Sequence, residues 1–289
     1  MATMGVLGPK GTHSEAAGFY LSRQMPEVEL VMEPDIYDCL QAVEEDRVDM
    51  ALVPVENSLE GVVSITLDTL ADSEELTVVK ELIWPVHNQL MARCKPEEVS
   101  RIYSHPQPIS QCRAFLREHY PEAEIIKTAS TARAAELVAE EPAFLGWAAI
   151  CPARAGKLYG LTLLAREIQD NMANCTRFFL VEKRERRSEP WPTAKDKLGS
   201  KLLVICQIDG SKSGALYEVL GEFAHRGVNM TRIESRPART VLGAYIFFFD
   251  LEADTCTGEA MQEAVEAVEK KSIWLKKLGP FPVLSAKEE

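Results

Sequence analysis

The residues with the most chemical promise lie together in Asn174-Cys175-Thr176-Arg177-Phe178-Phe179-Leu180-Val181. A hydroxyl and a guanidinium stand side by side at the mouth of an apolar segment. Arginine offers a fixed fork of donors matched to a carboxylate, and a hydroxyl can hand a proton to a leaving oxygen once its surroundings bias its acidity. Alone, the run reads more readily as a buried strand from Phe178 to Val181 with a surface arginine at its start. Cys175 is no obvious nucleophile, because the neighbouring sequence supplies no base to ionise it.

The elements that must position these groups alternate. Short apolar runs at Met4–Leu7, Met50–Val53, Leu76–Lys80, Val86–Ala92, Ile102–Ser104, Glu124–Lys127 and Ala143–Leu145 read as strands. Helical spacing appears over Ser14–Arg23, Asp35–Glu45, Ser110–His119 and Thr131–Glu140. Alternation of this kind predicts α/β layering with mostly parallel sheets, in which ligands sit beyond the carboxyl ends of strands. The loops at those ends share a character. Gly8-Pro9-Lys10-Gly11-Thr12-His13-Ser14 combines glycines with a hydroxyl helix cap, yet lacks the Gly-Lys-Ser/Thr ending of a nucleotide phosphate loop. Pro54-Val55-Glu56-Asn57-Ser58-Leu59-Glu60-Gly61 follows the next strand. Ser104-His105-Pro106-Gln107 leads to Gln111, and Ala129-Ser130-Thr131-Ala132 opens a helix.

The chain has 289 residues, 46% hydrophobic and 26% charged, as expected of a folded protein of roughly two domains. A net charge of -12 disfavours nucleic acid and acidic membrane as partners, so an anionic substrate must be caught locally by single arginines, hydroxyls and helix N-termini. No basic leader and no long apolar run is visible, which predicts a cytoplasmic protein. Seven cysteines without a CxxC pair suit reduced thiols, and no structural metal is expected. Prolines at 190 and 192, after a mixed-charge cluster, mark a linker over residues 184–198 between domains at 1–183 and 199–284.

Taken together, the four loops, the Asn174 to Phe178 run and Ala153-Arg154-Ala155-Gly156-Lys157-Leu158-Tyr159-Gly160-Leu161 resemble the prephenate dehydratase family. The resemblance implies two α/β lobes similar to type II periplasmic binding proteins, residues 1–83 with 170–183 forming one lobe and 84–169 the other. The chain would cross between them near Trp84 and Gln169. It implies a cofactor-free decarboxylative dehydration of prephenate to phenylpyruvate, on the route to phenylalanine, with Thr176 as the acid. Asn57, Ser58, Ser104, Gln111, Thr131, Arg177 and Phe178 would bind substrate, with Thr176 facing Asn57 and Ser104, Phe178 against the ring, and Arg177 either clamping a carboxylate or bracing its loop. The chain departs from the family pattern at His13, where an aromatic is usual, and at Pro108-Ile109-Ser110, where Ala-Leu-Ala is commoner.

Beyond the linker, strands at Leu202–Ile208, Asn229–Ser235, Ala244–Leu251 and near Trp274–Leu278 alternate with helices from Gly214 to Arg226 and from Gly258 to Lys271. This is a βαββαβ, ferredoxin-like order. Gly214-Ala215-Leu216 and Glu234-Ser235-Arg236-Pro237 are similar to the two signature motifs of the ACT regulatory domain. That resemblance implies phenylalanine as an effector, bound at a subunit interface of a homodimer or homotetramer, and feedback regulation. Arogenate dehydratase and a non-catalytic amino-acid sensor remain as alternatives.

Overall fold

The computed structural model describes residues 1–25, 27–186, 197–239 and 243–286. Strand β1 (Ala2–Leu7), helix α1 (His13–Ser22), β2 (Val28–Glu33), α2 (Ile36–Glu44), β3 (Met50–Asn57), β4 (Gly61–Val62), α3 (Ser64–Asp72) and β5 (Leu76–Pro85) open the chain. Next come β6 (Gln89–Ala92), β7 (Arg101–Ser104), α4 (Pro106–Gln111), α5 (Arg113–His119), β8 (Glu124–Lys127) and α6 (Thr131–Glu140). Strand β9 (Trp147–Cys151), α7 (Ala153–Leu158), β10 (Thr162–Ala165) and β11 (Cys175–Lys183) complete the part before the expected linker. The remainder is β12 (Lys197–Ile208), α8 (Ala215–His225), β13 (Met230–Pro237), β14 (Tyr245–Glu252), α9 (Gly258–Glu269) and β15 (Ser272–Ser285). Most of the linker, residues 187–196, lies outside the described residues.

Three differences from the sequence reading have local causes. The helix expected over Ser110–His119 is two helices, because Pro106 starts a turn early and Cys112 (φ -112°, ψ 18°) interrupts it. Ala143–Leu145 is a 3₁₀ turn between Pro142 and the left-handed Gly146 (φ 69°), and the strand is Trp147–Cys151. Strands β2, β4 and β10 and helices α3 and α7 were not expected. β2 (VELVME) is partly buried along much of its length, and its run of apolar and acidic residues gives a weak periodic signal.

The chain forms two compact units. The first comprises Met1–Val63 and Trp84–Arg177; the second joins Ser64–Ile83 to the residues from Phe178 onward. This division does not follow the domain boundary expected at the linker.

In the first unit β1 pairs in parallel with β2 on one side and β3 on the other, and Met4, Val6, Ala51 and Leu52 are fully buried. The other sheet runs β10-β6-β9-β7-β8, with β7 parallel to both β8 and β9 and β6 antiparallel to β9 and β10. The chain enters this sheet after Trp84 and leaves it after β10. Hydroxyl and carboxylate caps fix the helix starts: Thr12 accepts from Glu15 N–H (3.2 Å), Asp35 from Asp38 N–H (2.8 Å) and Ser130 from Arg133 N–H (3.0 Å).

In the second unit the sheet runs β13-β14-β12-β15-β5-β11, and β12 to β15 with α8 and α9 realise the expected βαββαβ order. Val204, Cys206, Val219, Phe249 and Val268 fill the core beneath its helices. Strand β15 is longer than expected and pairs in parallel with β5, Val283 opposite Glu81 and Ser285 opposite Ile83. Lys276, 7% exposed, donates to the carbonyls of Leu70 (3.1 Å), Ala71 (3.0 Å) and Ser73, so a β15 cation closes the carboxyl end of α3.

Candidate active site

Asn57 ends β3, and its own side-chain oxygen folds the loop that follows, accepting from the N–H groups of Leu59 (3.0 Å) and Glu60 (3.1 Å). That use of Oδ1 fixes the amide so that Nδ2 faces the start of β11. There it donates to Thr176 Oγ1 (3.0 Å), Asn174 Oδ1 (3.0 Å) and the Cys175 carbonyl (3.2 Å). Ser58 adds a second tie: its N–H donates to the Cys175 carbonyl (2.9 Å), and its hydroxyl accepts from the Cys175 N–H (3.0 Å). Cys175 thus contributes backbone groups to the site.

The polarity of each amide then follows from its neighbour. Asn174 is 2% exposed; its Oδ1 is an acceptor for Asn57, so its Nδ2 donates to Gln111 Oε1 (3.2 Å). Gln111 Oε1 also takes a bond from Asn88 Nδ2 (3.5 Å). The break at Cys112 makes Gln111 the last residue of α4, and the return segment secures it. Asp170 N–H donates to the Gln111 carbonyl (2.6 Å), while the Asp170 carboxylate accepts from Ala114 N–H (3.1 Å) at the start of α5.

Other expected residues lie differently. Ser104, fully buried, donates its hydroxyl to the Ile150 carbonyl (2.7 Å) and ties β7 to β9. Thr131 is buried in the first turn of α6, outside the amide network, because Ser130 takes the cap. Phe178 is 1% exposed and offers no surface to a ligand, since β11 is buried on both faces from Phe178 to Glu182. Arg177 donates to Glu56 Oε2 (2.7 Å), so its charge is met within the protein and it braces the β3 loop.

Asn88, Gln169 and Asn174 join the site without having been singled out as binding residues. Gln169 Oε1 accepts from the Asn88 N–H (2.9 Å), holding the chain where it enters β6. Asn174 carried a signal, standing two residues before Thr176; Asn88 and Gln169 carried none, being brought in by the chain crossings.

The glycine loop after β1 is fixed by charge and by close approach. Glu15, 3% exposed, accepts a two-point bond from Arg154 of α7 and a bond from Gly11 N–H (3.3 Å). The Arg154 guanidinium lies 3.9 Å from the centroid of the Phe19 ring. Gly11 has φ +88°, and a Cβ there would meet the Ala155 Cβ at 3.1 Å. His13, at the head of α1, accepts from Trp84 Nε1 (3.4 Å) on Nδ1. Burial pushes its pKa down to about 4; the charge of His87 adds to this and the Asn88 side chain opposes it.

In the second unit, Gly214, Ala215 and Leu216 line a pocket of about 230 Å³ with Lys212 and Tyr245. Glu234 and Ser235 do not line it, and Arg236 and Pro237 line a separate recess. There Arg236 forms a two-point ion pair with Asp68 of α3 (2.9 and 3.1 Å). Within one chain the two motifs are therefore apart.

Fold and site together define an α/β protein with a threonine hydroxyl at one end of a directed chain of amides. The prephenate dehydratase family model matches residues 4–186. A prephenate dehydratase of Lactococcus lactis subsp. lactis is 36% identical over 98% of both chains. Among solved structures, a prephenate dehydratase from Arthrobacter aurescens in complex with L-Phe aligns with TM-score 0.81 at 34% identity, covering 96% of this chain and 89% of that one. GqqA, reported as a novel type of quorum quenching acylase, aligns with TM-score 0.80 at 26% identity, covering 98% of both chains. This chain belongs to the prephenate dehydratase family. Among the described residues, no helix is long and apolar enough to cross a membrane, and no cluster of His, Cys, Asp or Glu is arranged to hold a metal ion.

Proposed function

We propose that the chain catalyses the decarboxylative dehydration of prephenate to phenylpyruvate, with Thr176 as the general acid. The observation that carries this reading is the 3.0 Å bond from Asn57 Nδ2 to Thr176 Oγ1. A hydroxyl oxygen that accepts from an amide keeps its own hydrogen free to point at a ligand, and the same amide stabilises the alkoxide left once that hydrogen departs. In the reaction the C4 hydroxyl of prephenate takes the Thr176 proton and leaves as water. The bond between C1 and its carboxylate breaks, its electron pair enters the ring, and carbon dioxide departs. The ring becomes aromatic, which supplies the driving force, and solvent returns a proton to Thr176. The protein contributes orientation and the acid, each of which depends on a rigid network.

The two sheets of the first unit, with chain crossings on either side of β6–β10, support the reading of two lobes similar to type II periplasmic binding proteins. We also read β12 to β15 with α8 and α9 as an ACT-type regulatory module that binds phenylalanine. The pocket lined by Gly214 to Leu216 supports this, together with the L-Phe bound by the Arthrobacter relative. Strand β13 is the edge of its sheet among the described residues and carries Ile233, 45% exposed, which suits pairing with a second copy. Glu234 to Pro237 of the partner would then complete the pocket that Gly214 to Leu216 begins.

Ultraviolet detection of phenylpyruvate formed from prephenate, with and without phenylalanine, tests reaction and regulation together. The reading requires turnover that falls as phenylalanine saturates. Turnover of arogenate in preference to prephenate would reassign the substrate.

A further inference from the structure

Asn57, Asn174 and Gln111 form a chain of amides, and each is held in its sense by a different kind of partner. Asn57 is held by the main chain: its Oδ1 accepts from the N–H groups of Leu59 and Glu60, so Nδ2 is what it offers to the start of β11. Asn174 is held by Asn57. Its Oδ1 accepts from that Nδ2 at 3.0 Å, with the Ser58 hydroxyl 3.5 Å from the same oxygen, and Nδ2 is left to donate to Gln111 Oε1 at 3.2 Å. The Gln111 side chain, among the described residues, hydrogen-bonds only to other amides, Asn174 and, at the longer distance of 3.5 Å, Asn88. Its Nε2 is buried and has no partner among those residues. Turning an amide over exchanges its oxygen for its nitrogen in nearly the same place, so only a neighbour of fixed sense decides which group Gln111 presents. Asn174, 2% exposed, has little access to water as an alternative partner.

Resting on the reading that the chain is a dehydratase of this type, we propose that Asn174 is a positioning residue for the reaction, which acts by holding the Gln111 amide with Oε1 inside the network and Nε2 kept as an N–H donor for substrate oxygen. The ketone and the two carboxylates of prephenate only accept hydrogen bonds, so they are met by an N–H and repelled by a carbonyl oxygen. A reversed Gln111 would present that oxygen. The direction starts at the main chain of the β3 loop and passes through Asn57, which also donates to Thr176 Oγ1, so one set of hydrogen bonds orients the acid and the donor together. The role requires an acceptor and a donor on one rigid plane. Serine is too short to reach both neighbours, an ionised aspartate offers acceptors alone, and a protonated aspartate offers one of each.

The test is steady-state kinetics on prephenate for the wild type, Asn174→Asp, Asn174→Ser, Gln111→Leu and the double variant Asn174→Ser with Gln111→Leu, each with a thermal melt. Burial raises the pKa of an aspartate at this position, so it takes up its proton within the working range of pH. Relative to the wild type at the same pH, kcat/KM of Asn174→Asp should fall about a hundredfold at pH 8.5 and return to within about threefold at pH 5. Asn174→Ser should fall by about tenfold at both. The titratable groups around the network, Glu56, His13, His87, Asp170 and Cys175, and the charge of Arg177 are common to the proteins compared and cancel in the ratio. Repulsion of an anionic substrate by the new carboxylate would instead leave the neutral Asn174→Ser like the wild type. In the Gln111→Leu background, Asn174→Ser should cost no more than about twofold, because a residue that acts through Gln111 then has nothing to position. Three results would overturn the inference and leave the dehydratase reading intact: a folded Asn174→Ser protein within about threefold of the wild type, Asn174→Asp no more active than Asn174→Ser at pH 5, or losses that multiply in the double variant. Should Asn174→Asp fail to fold, Asn174→Ser and the double variant decide. A wild type that does not turn over prephenate overturns the dehydratase reading and this inference with it.

Discussion

At the scale of single residues, the proposed reaction is a problem of proton placement. Removing the Thr176 hydroxyl should lower kcat by about 10²–10⁴-fold with little change in KM, the range for loss of a positioned acid. Thr176→Ser should keep much of the rate, and kcat within a few-fold of wild type in Thr176→Ala would remove it from the mechanism. His13 gives a pH signature of folding. Its pKa is about 4 in the native protein against 6.5 for the free side chain, so between those values the unfolded chain binds the proton that the folded one rejects. The contribution is complete above about pH 6.5 and is lost as the pH falls through 4, by at most about 3 kcal/mol. Urea unfolding at pH 7 and pH 4.5 should show a larger loss in the wild type than in His13→Phe. Equal losses would mean that His13 is not held neutral by the fold. At this scale the sequence exposed Thr176, Asn57, Ser58 and Gln111 as candidates. It could not show that Ser104 is spent on a backbone carbonyl, or that Phe178 points inward, because hydroxyls and phenyl rings serve core and site alike.

At the scale of elements, the site depends on how the β1 loop meets α7. Gly11→Ala places a Cβ 3.1 Å from that of Ala155 at a φ of +88°, which L side chains adopt at a cost of about 1–2 kcal/mol. Arg154→Met keeps an apolar stem over Phe19 but strands the buried Glu15 carboxylate, a change that costs about 3–5 kcal/mol when a buried pair loses one partner. Thermal melts should place Arg154→Met well below Gly11→Ala and both below the wild type. An Arg154→Met melt equal to the wild type would show that the pair does not hold this loop. The helix starts here were legible from local chemistry, as Thr12, Asp35 and Ser130 cap where their types predict. The pairing of Glu15 with Arg154 spans 139 positions and leaves no trace in either neighbourhood.

For the whole molecule, the compact units cut across the boundary that the proline-rich linker advertises. The second unit takes α3 and β5 from the amino-terminal part, pairs β5 with β15, and closes α3 with Lys276. A chain ending at Arg186 would strip β5 of that neighbour and α3 of that cation. Expressed alone, it should be poorly soluble or melt at least about 10 °C lower. A fragment as stable as the full chain by calorimetry would show that the amino-terminal part folds independently of these contacts. Phenylalanine, if bound by the native state alone, should stabilise the full chain by about 2.7 kcal/mol at a hundredfold excess over its Kd, which a thermal shift titration reads directly.

The sequence alone determined the alternation of strands and helices, the polar post-strand loops, the βαββαβ order and the residues offering a hydroxyl and amides for catalysis, because periodicity, capping and turn chemistry act over a few residues. Tertiary structure decided which of those groups meet. The 117-residue separation between Asn57 and Asn174 is closed only by folding, and with it the direction of every hydrogen bond from Thr176 to Gln111. A hydrogen-bond direction is a property of the whole chain of partners, since each amide's orientation is set by the one before it, and no single position encodes it.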